Sequence, residues 1–449
     1  MNRSRQFVYA AFSAISLMLP VTVRAADPLP ELPTVNRMLT LKEALALAAG
    51  NNIALKQSGT DAMIASAAAR SASAQTRPSL SATTYGLAGD SNNIVTSSPG
   101  VMPQNIMGVP PHGYLDQNLM LMVPLFTGGK LSGQAGAART QSQAAVFAAD
   151  ATRLTVQETV TAAYATVLLK MARVQVADAR LTAEDEQVRV TQERVNTGHS
   201  APVNLLREQA EEANAKQGLL AAQTDETLAV VELKTALGIS QASTITFADT
   251  LDTATIPTTL PASLQDAIHT AETNRPDLAA ALKQIEAAQE SNRAVRGAYS
   301  PQVYALGMAD ASSPGSGGGR VGYTVGLTAS IPLYDGGQRD ADAEASKARL
   351  DRATLNAQSI RQTVDQEAAS AWLNLQAATQ QVQTAQVGVN AAQQAYDLAN
   401  LRYNAGKSVT AERLDALAAL TRARGDLSAA TATAIETRAH LLTAIGSTL

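Results

Sequence analysis

The sequence predicts a mainly α protein with a small β part, duplicated within one chain. Three observations predict it: two very long stretches without proline, a set of motifs that recurs in the same order, and one eleven-residue run of strict alternation. Composition agrees with long helices. Hydrophobic residues make up 45% of 449, yet aromatics only 4%, so the apolar content is small side chains suited to closely approaching helices. Cysteine is absent, which excludes disulfides, thiolate metal sites, a thiol nucleophile and a lipid-modified N-terminal Cys. A net charge of −4 gives no basic footprint for nucleic acid.

Residues 1–25 read as a signal peptide. Arg3 and Arg5 precede an apolar stretch from Phe7 to Leu19, then Pro20 and the small-residue site Val23-Arg24-Ala25. The apolar run is too short to span a bilayer as a helix. No later segment is a candidate spanning helix, so a membrane-inserted part would have to be a β-barrel.

The duplication is read from paired motifs. Leu41-Lys-Glu-Ala-Leu aligns with Leu264-Gln-Asp-Ala-Ile, Pro78 with Pro301, and Val123-Pro-Leu-Phe-Thr-Gly-Gly with Ile331-Pro-Leu-Tyr-Asp-Gly-Gly. Arg194-Val-Asn-Thr-Gly-His-Ser aligns with Arg402-Tyr-Asn-Ala-Gly-Lys-Ser, and Ala236-Leu-Gly with Ala444-Ile-Gly. The copies differ in length only between Pro78 and Val123, which assigns that stretch to a surface loop. The predicted organisation is a first repeat over 26–238, a linker over 239–263 and a second repeat over 264–449.

Each copy reads helix, strand, loop, strand, very long helix, tight turn, helix. Gly129 to Arg194 and Gly337 to Arg402 contain no proline and are rich in helix formers. Such a helix reaches ~100 Å at ~1.5 Å per residue, far more than a globular domain needs. Gly198 and Gly406 end these helices, and Pro202 suits the first turn of a returning helix. Val203 to Leu237 and Ala411 to Ile445 are the returning segments, giving two antiparallel helical hairpins.

The strands carry a membrane signal. From Val321 to Ile331 the odd positions are apolar and the even ones Gly, Thr or Ser, the pattern of a transmembrane β-strand facing lipid and lumen alternately. Weaker partners are Gln302 to Ala309, Leu80 to Leu87 and Asn118 to Val123. A soluble sheet with one buried face is the competing reading of this alternation. Four strands cannot close a membrane barrel, so spanning strands would have to be pooled from several chains.

Motifs for chemistry give no support to an enzyme. Gly317-Gly-Gly-Arg-Val-Gly322 matches a dinucleotide-binding pattern in letters, but it leads into a strand where that pattern must open a helix. Gly406-Lys407-Ser408 resembles the end of a phosphate loop, with Leu401 where its first glycine is required. His112, His199, His269 and His440 lack ligand spacing, and no cofactor or metal is expected.

The repeated Leu-x-[Glu/Asp]-Ala-[Leu/Ile] openings, the [Val/Ile]-Pro-Leu-[Phe/Tyr]-x-Gly-Gly strand exits and the Arg-[Val/Tyr]-Asn-x-Gly tips resemble the outer-membrane efflux protein (TolC) family, from about Leu39 to Gly446. The resemblance implies a homotrimer in the outer membrane. Twelve pooled strands would form its barrel, and a long α-helical barrel continuous with it would extend into the periplasm. Partners implied are a periplasmic adaptor and an inner-membrane pump, with the channel conducting substrate passively. The absence of Cys departs from the family's lipid-anchored branch.

Glu412 and Asp415 lie three apart and so share a helix face near the second tip. Spacing alone leaves open a solvated acidic face. The resemblance implies instead a ring of carboxylates around a closed periplasmic entrance. It also implies that Tyr403 helps to hold that entrance shut, with Asn204 at its matched partner position, and that Ser408 replaces a latching arginine. The first tip carries Asn204 and Arg207 where the second carries Glu412 and Asp415, so one hairpin per chain supplies the acids. Arg194, Asn196, Gly198 and Ser200, with Arg402, Asn404, Gly406 and Ser408, are the expected adaptor-docking tips; their plainer reading is that Gly ends each helix and Ser caps the next. A periplasmic coiled-coil adaptor or structural stalk without a channel is the alternative function. It explains the hairpins but not the alternation at Val321–Ile331.

Overall fold

The computed structural model describes residues 31–87, 93–96, 104–107, 114–251, 260–314, 320–405 and 407–448. The expected signal peptide, residues 252–259 of the linker, Gly317 to Gly319 and the tip residue Gly406 lie outside the described residues. The elements are β1 (Asn36–Leu39), α1 (Leu41–Asn51), α2 (Ile53–Ala74), β2 (Ser79–Leu87), β3 (Asn93–Thr96), β4 (Gln104–Met107), β5 (Tyr114–Phe126), α3 (Lys130–Asn196), α4 (Pro202–Leu237) and β6 (Thr244–Phe247). They continue with α5 (Leu264–Asn274), α6 (Pro276–Gly297), β7 (Gln302–Pro314), β8 (Arg320–Ser330), α7 (Gln338–Asn404) and α8 (Thr410–Ala444).

Helix lengths recur: α1 to α4 have 11, 22, 67 and 36 residues, and α5 to α8 have 11, 22, 67 and 35. Where the sequence predicts one opening helix per copy, there are two. Asn52 breaks the first by offering its side chain to Leu55 N (3.1 Å) and donating to Ala236 O (2.8 Å). Pro276 begins the new helix in the second copy, at the first-turn position where its missing N–H costs nothing. Thr40 and Glu43 close a capping box on α1, and Ser263 caps α5 through Asp266 N (3.1 Å). Both 67-residue helices run unbroken, Gly388 included, because no proline removes a ladder hydrogen bond.

The chain divides into two compact units that do not coincide with the repeats, since each holds parts of both. One comprises described residues of 65–142 and 285–352. Its main sheet is antiparallel in the order β2-β5-β7-β8, with β2 and β8 at the edges. The β5–β7 register slips between Pro124 and Phe126, where proline has no N–H to give the ladder. β5 and β7 are longer than expected, and β7 runs on to Pro314, past the Ala309 end that the sequence predicts. The segment expected as a loop between β2 and β5 contains the paired strands β3 and β4, whose Ile94, Val95 and Ile106 suit extended backbone. On β8, Val321, Tyr323, Val325 and Leu327 are all exposed, so no described residue covers that apolar face.

The other unit comprises described residues of 31–64, 143–284 and 353–448. Its core joins β1, α1, α3, α4 and α8 through Leu39, Val160, Tyr164, Leu233, Leu237, Leu441 and Leu442, with small Ala44, Ala48 and Ala439 letting the backbones approach. β1 and β6 form a short parallel pair that the sequence reading did not anticipate. Tyr164 ties this pair to α3: its hydroxyl lies 3.0 Å from Leu39 O and 2.9 Å from Asp249 Oδ2, and its ring meets Phe247 edge-on.

Candidate functional site at the hairpin tips

Both tips lie in the helical unit and close in the same way. After α3, His199 N donates to Arg194 O (2.7 Å); after α7, Lys407 N donates to Arg402 O (2.9 Å). Gly198 takes φ +74°, a left-handed conformation that ends α3 as its sequence position predicts. The serines do not cap the returning helices. The N-cap residues are Ala201 and Val409, neither with a side-chain bond, so Ser200 and Ser408 fall one residue too early. Ser200 Oγ instead accepts from Asn204 Nδ2 (3.2 Å), and Ser408 Oγ donates to Glu412 Oε2.

The acidic positions separate in character. Glu412 is ion-paired with Arg402 at 2.7 Å, whereas Asp415 is exposed. Arg402 and Glu412 are each close to half exposed, so solvent screens this pair.

Tyr403 is buried near the end of α7, and its hydroxyl accepts from Gln187 Nε2 on α3 at 3.0 Å. Arg194 and Arg413 approach its ring, their guanidinium carbons 5.0 and 5.7 Å from the centroid. Tyr403 is thus tied to the first hairpin through Gln187, while the hydrogen bond of Asn204 goes to Ser200.

Beneath Tyr403 lies a cluster that the sequence reading missed. Arg413 on α8 is 2% exposed and reaches Glu208 Oε2 of α4 at 3.4 Å and Glu184 Oε2 of α3 at 3.8 Å, both carboxylates being as deeply buried. Burial pushes both carboxyl groups above the usual range, opposed by the Arg413 charge, and for Glu208 the neighbouring Glu184 adds to the rise. A signal was available. Arg413, Leu417 and Leu420 share one buried stripe of α8, and Glu184, Gln187 and Thr191 one of α3, both at spacings of three and four.

The family model for outer membrane efflux proteins matches residues 44–239 and again 267–447. The outer membrane efflux protein BepC of Brucella suis biovar 1 (strain 1330) is 27% identical over 198 residues, 43% of this chain and 42% of that protein. The aligned part therefore spans less than half of that relative. Among solved structures, CusC superposes with a TM-score of 0.75 at 20% identity, covering 96% of this chain and all of that one. The CmeC outer membrane channel of Campylobacter jejuni gives 0.75 at 16% identity, covering 90% and 85%. At such identities the structures speak to the fold, and membership rests on the double match over most of the sequence. The chain belongs to the outer membrane efflux protein family, proteins of the outer membrane.

Proposed function

We propose that this protein is the outer-membrane channel of a tripartite efflux or type I secretion system. Three copies pool their four-stranded sheets into a twelve-stranded barrel, continuous with a periplasmic α-helical barrel. One observation carries the reading: an antiparallel sheet whose edge strands β2 and β8 have no second partner among the described residues, with an exposed apolar face on β8. In lipid such a sheet must close, because unpaired edge groups have no water to bond. The recurring helix lengths and the double family match support a duplicated chain with repeats at 26–238 and 264–449. A stalk or adaptor without a channel leaves the apolar face of β8 unexplained.

Conduction is passive in this reading. Substrate arrives from an inner-membrane pump through a periplasmic adaptor docked on the tips, at Arg194, Asn196, Gly198, Ser200, Arg402, Asn404, Gly406 and Ser408. Glu412, Asp415, Tyr403 and Asn204 line or hold the periplasmic entrance, and three copies of the acidic pair favour cations there.

Detergent-extracted protein from the outer membrane is expected to run as a trimer and to give small, discrete conductance steps in planar bilayers. Tyr403→Phe combined with Asn204→Ala raises that conductance. A monomer in the soluble periplasmic fraction overturns the channel; equal, low conductance in both proteins overturns the gate assignment.

A further inference from the structure

We propose that Glu184, Glu208 and Arg413 form a proton-dependent clasp that fixes α8, the helix carrying Glu412 and Asp415, against α3 and α4. Charge counting is the starting point. One guanidinium faces two carboxylates in a space that solvent hardly reaches, so with both acids ionised the cluster carries an uncompensated negative charge. With one proton added it is neutral.

Bonding in the cluster is incomplete, which leaves buried carboxylate oxygens free to carry that proton. Glu208 Oε1, Glu184 Oε2 and Arg413 Nε are buried without a hydrogen-bond partner, and the guanidinium stands 3.8 Å from Glu184, beyond good hydrogen-bond reach. Other charges nearby are accounted for. Arg180 of α3 pairs with Glu211 of α4 at 3.3 Å, Arg194 of α3 lies over the Tyr403 ring of α7, and Glu412 of α8 pairs with Arg402. Arg180 lowers the Glu184 carboxyl's pKa, but its own partner Glu211 raises it, so this pair largely offsets itself and Arg413 remains the cation that contacts both buried acids.

The direction follows from the burial. Both carboxyl groups titrate above their usual range in the folded protein, so the clasp is at full strength below that range and weakens as pH rises through the raised values. If the tips form the periplasmic entrance, as proposed above, mildly acidic conditions hold it shut and alkaline ones favour opening. That consequence rests on the channel reading; the clasp itself does not.

Hydrogen exchange of the detergent-solubilised full-length protein, followed by mass spectrometry between about pH 5 and about pH 8, tests the clasp apart from the gate. After correction for intrinsic rates, protection of residues 411–420 is expected to fall by roughly threefold to tenfold per pH unit, tenfold being the limit for one proton. Glu208→Gln, which keeps shape and hydrogen bonding, is expected to flatten that dependence; Glu184→Gln serves in its place if the first variant does not fold. Protection independent of pH in the unaltered protein, or an unchanged slope in the Gln variant, overturns the clasp. Conductance of Tyr403→Phe measured alongside separates the two ideas: if it matches the unaltered protein while the exchange slope behaves as expected, the gate assignment falls and the clasp stands.

Discussion

Arg402 Nη1 lies 2.7 Å from Glu412 Oε1, so the two acids at the second tip do not act as an equal pair. Arg402 offsets the charge of Glu412, while Asp415, one turn further along α8, stays exposed. If the second tip lines the periplasmic entrance as proposed, Asp415→Asn is expected to reduce cation selectivity in bilayer reversal-potential measurements more than Glu412→Gln does. Because the ion pair is solvent-screened, the difference should shrink as salt rises. A larger loss with Glu412→Gln at every salt concentration would reverse this assignment.

Gly238 and Gly446 end the returning helices of the two copies in the same way. Gly238 takes φ +69°, and a Cβ there would sit 2.5 Å from Asn51 O; Gly446 takes φ +72°, with a Cβ 2.7 Å from Asn274 O. Left-handed backbone alone costs an L-residue about 1–2 kcal/mol, and the clash is with backbone that cannot swing aside. Either glycine replaced by alanine should destabilise the fold by about 2 kcal/mol or more. Denaturant unfolding followed by fluorescence of the single tryptophan, Trp372, which packs on the helical core, reads this directly. A midpoint within error of the unaltered protein would contradict it.

The contrast between these sites explains what the sequence made legible. Long helices, the tip glycine Gly198 and the β8 alternation are local properties, written in proline absence, a left-handed turn and period two. The break at Asn52 was hidden because asparagine is tolerated within a helix: its Oδ1 caps Leu55 N locally, and its side chain is held in place by a bond to Ala236 O, far along the chain. The parallel β1–β6 pair was hidden for a similar reason: four residues pair with four others more than 200 positions away. Of the tip residues, Tyr403 was found through resemblance. Arg413 was passed over because a charged residue beside Glu412 reads as surface until its stripe with Leu417 and Leu420 is traced.

His440 Nδ1 and Glu158 Oε1 stand 2.7 Å apart, linking α8 to α3. The contact raises the imidazole's pKa, and the histidine's hydrogen bond lowers the carboxyl's. The His440 contribution is present in full below its ordinary pKa and is lost as pH rises through the raised one. The Glu158 contribution is present above its ordinary pKa and lost as pH falls through the lowered one. Their overlap lies between about pH 4.5 and about pH 6.5, the two ordinary values. His440 is 44% exposed at its side chain, so screening holds the pair to about 0.2–1 kcal/mol. His440→Gln should lower thermal stability in that window and have less effect at about pH 8; a larger loss at the alkaline end would contradict the pairing.

The alternation on β8 makes the sharpest demand on the membrane reading. Val325 and Thr324 are adjacent, and period two puts them on opposite faces of the sheet. Val325 belongs to the apolar row with Val321, Tyr323 and Leu327, and is 80% exposed in the single chain. If that row meets lipid, Val325→Arg carries a depth-dependent cost of about 2–4 kcal/mol near the bilayer midplane. On the same reading Thr324→Arg would point that charge into a water-filled lumen, changing conductance and leaving insertion intact. Trimer recovered from outer-membrane fractions should therefore fall for Val325→Arg and hold for Thr324→Arg. Equal recovery of the two would mean that the apolar row does not face lipid, and the open sheet would then need another covering.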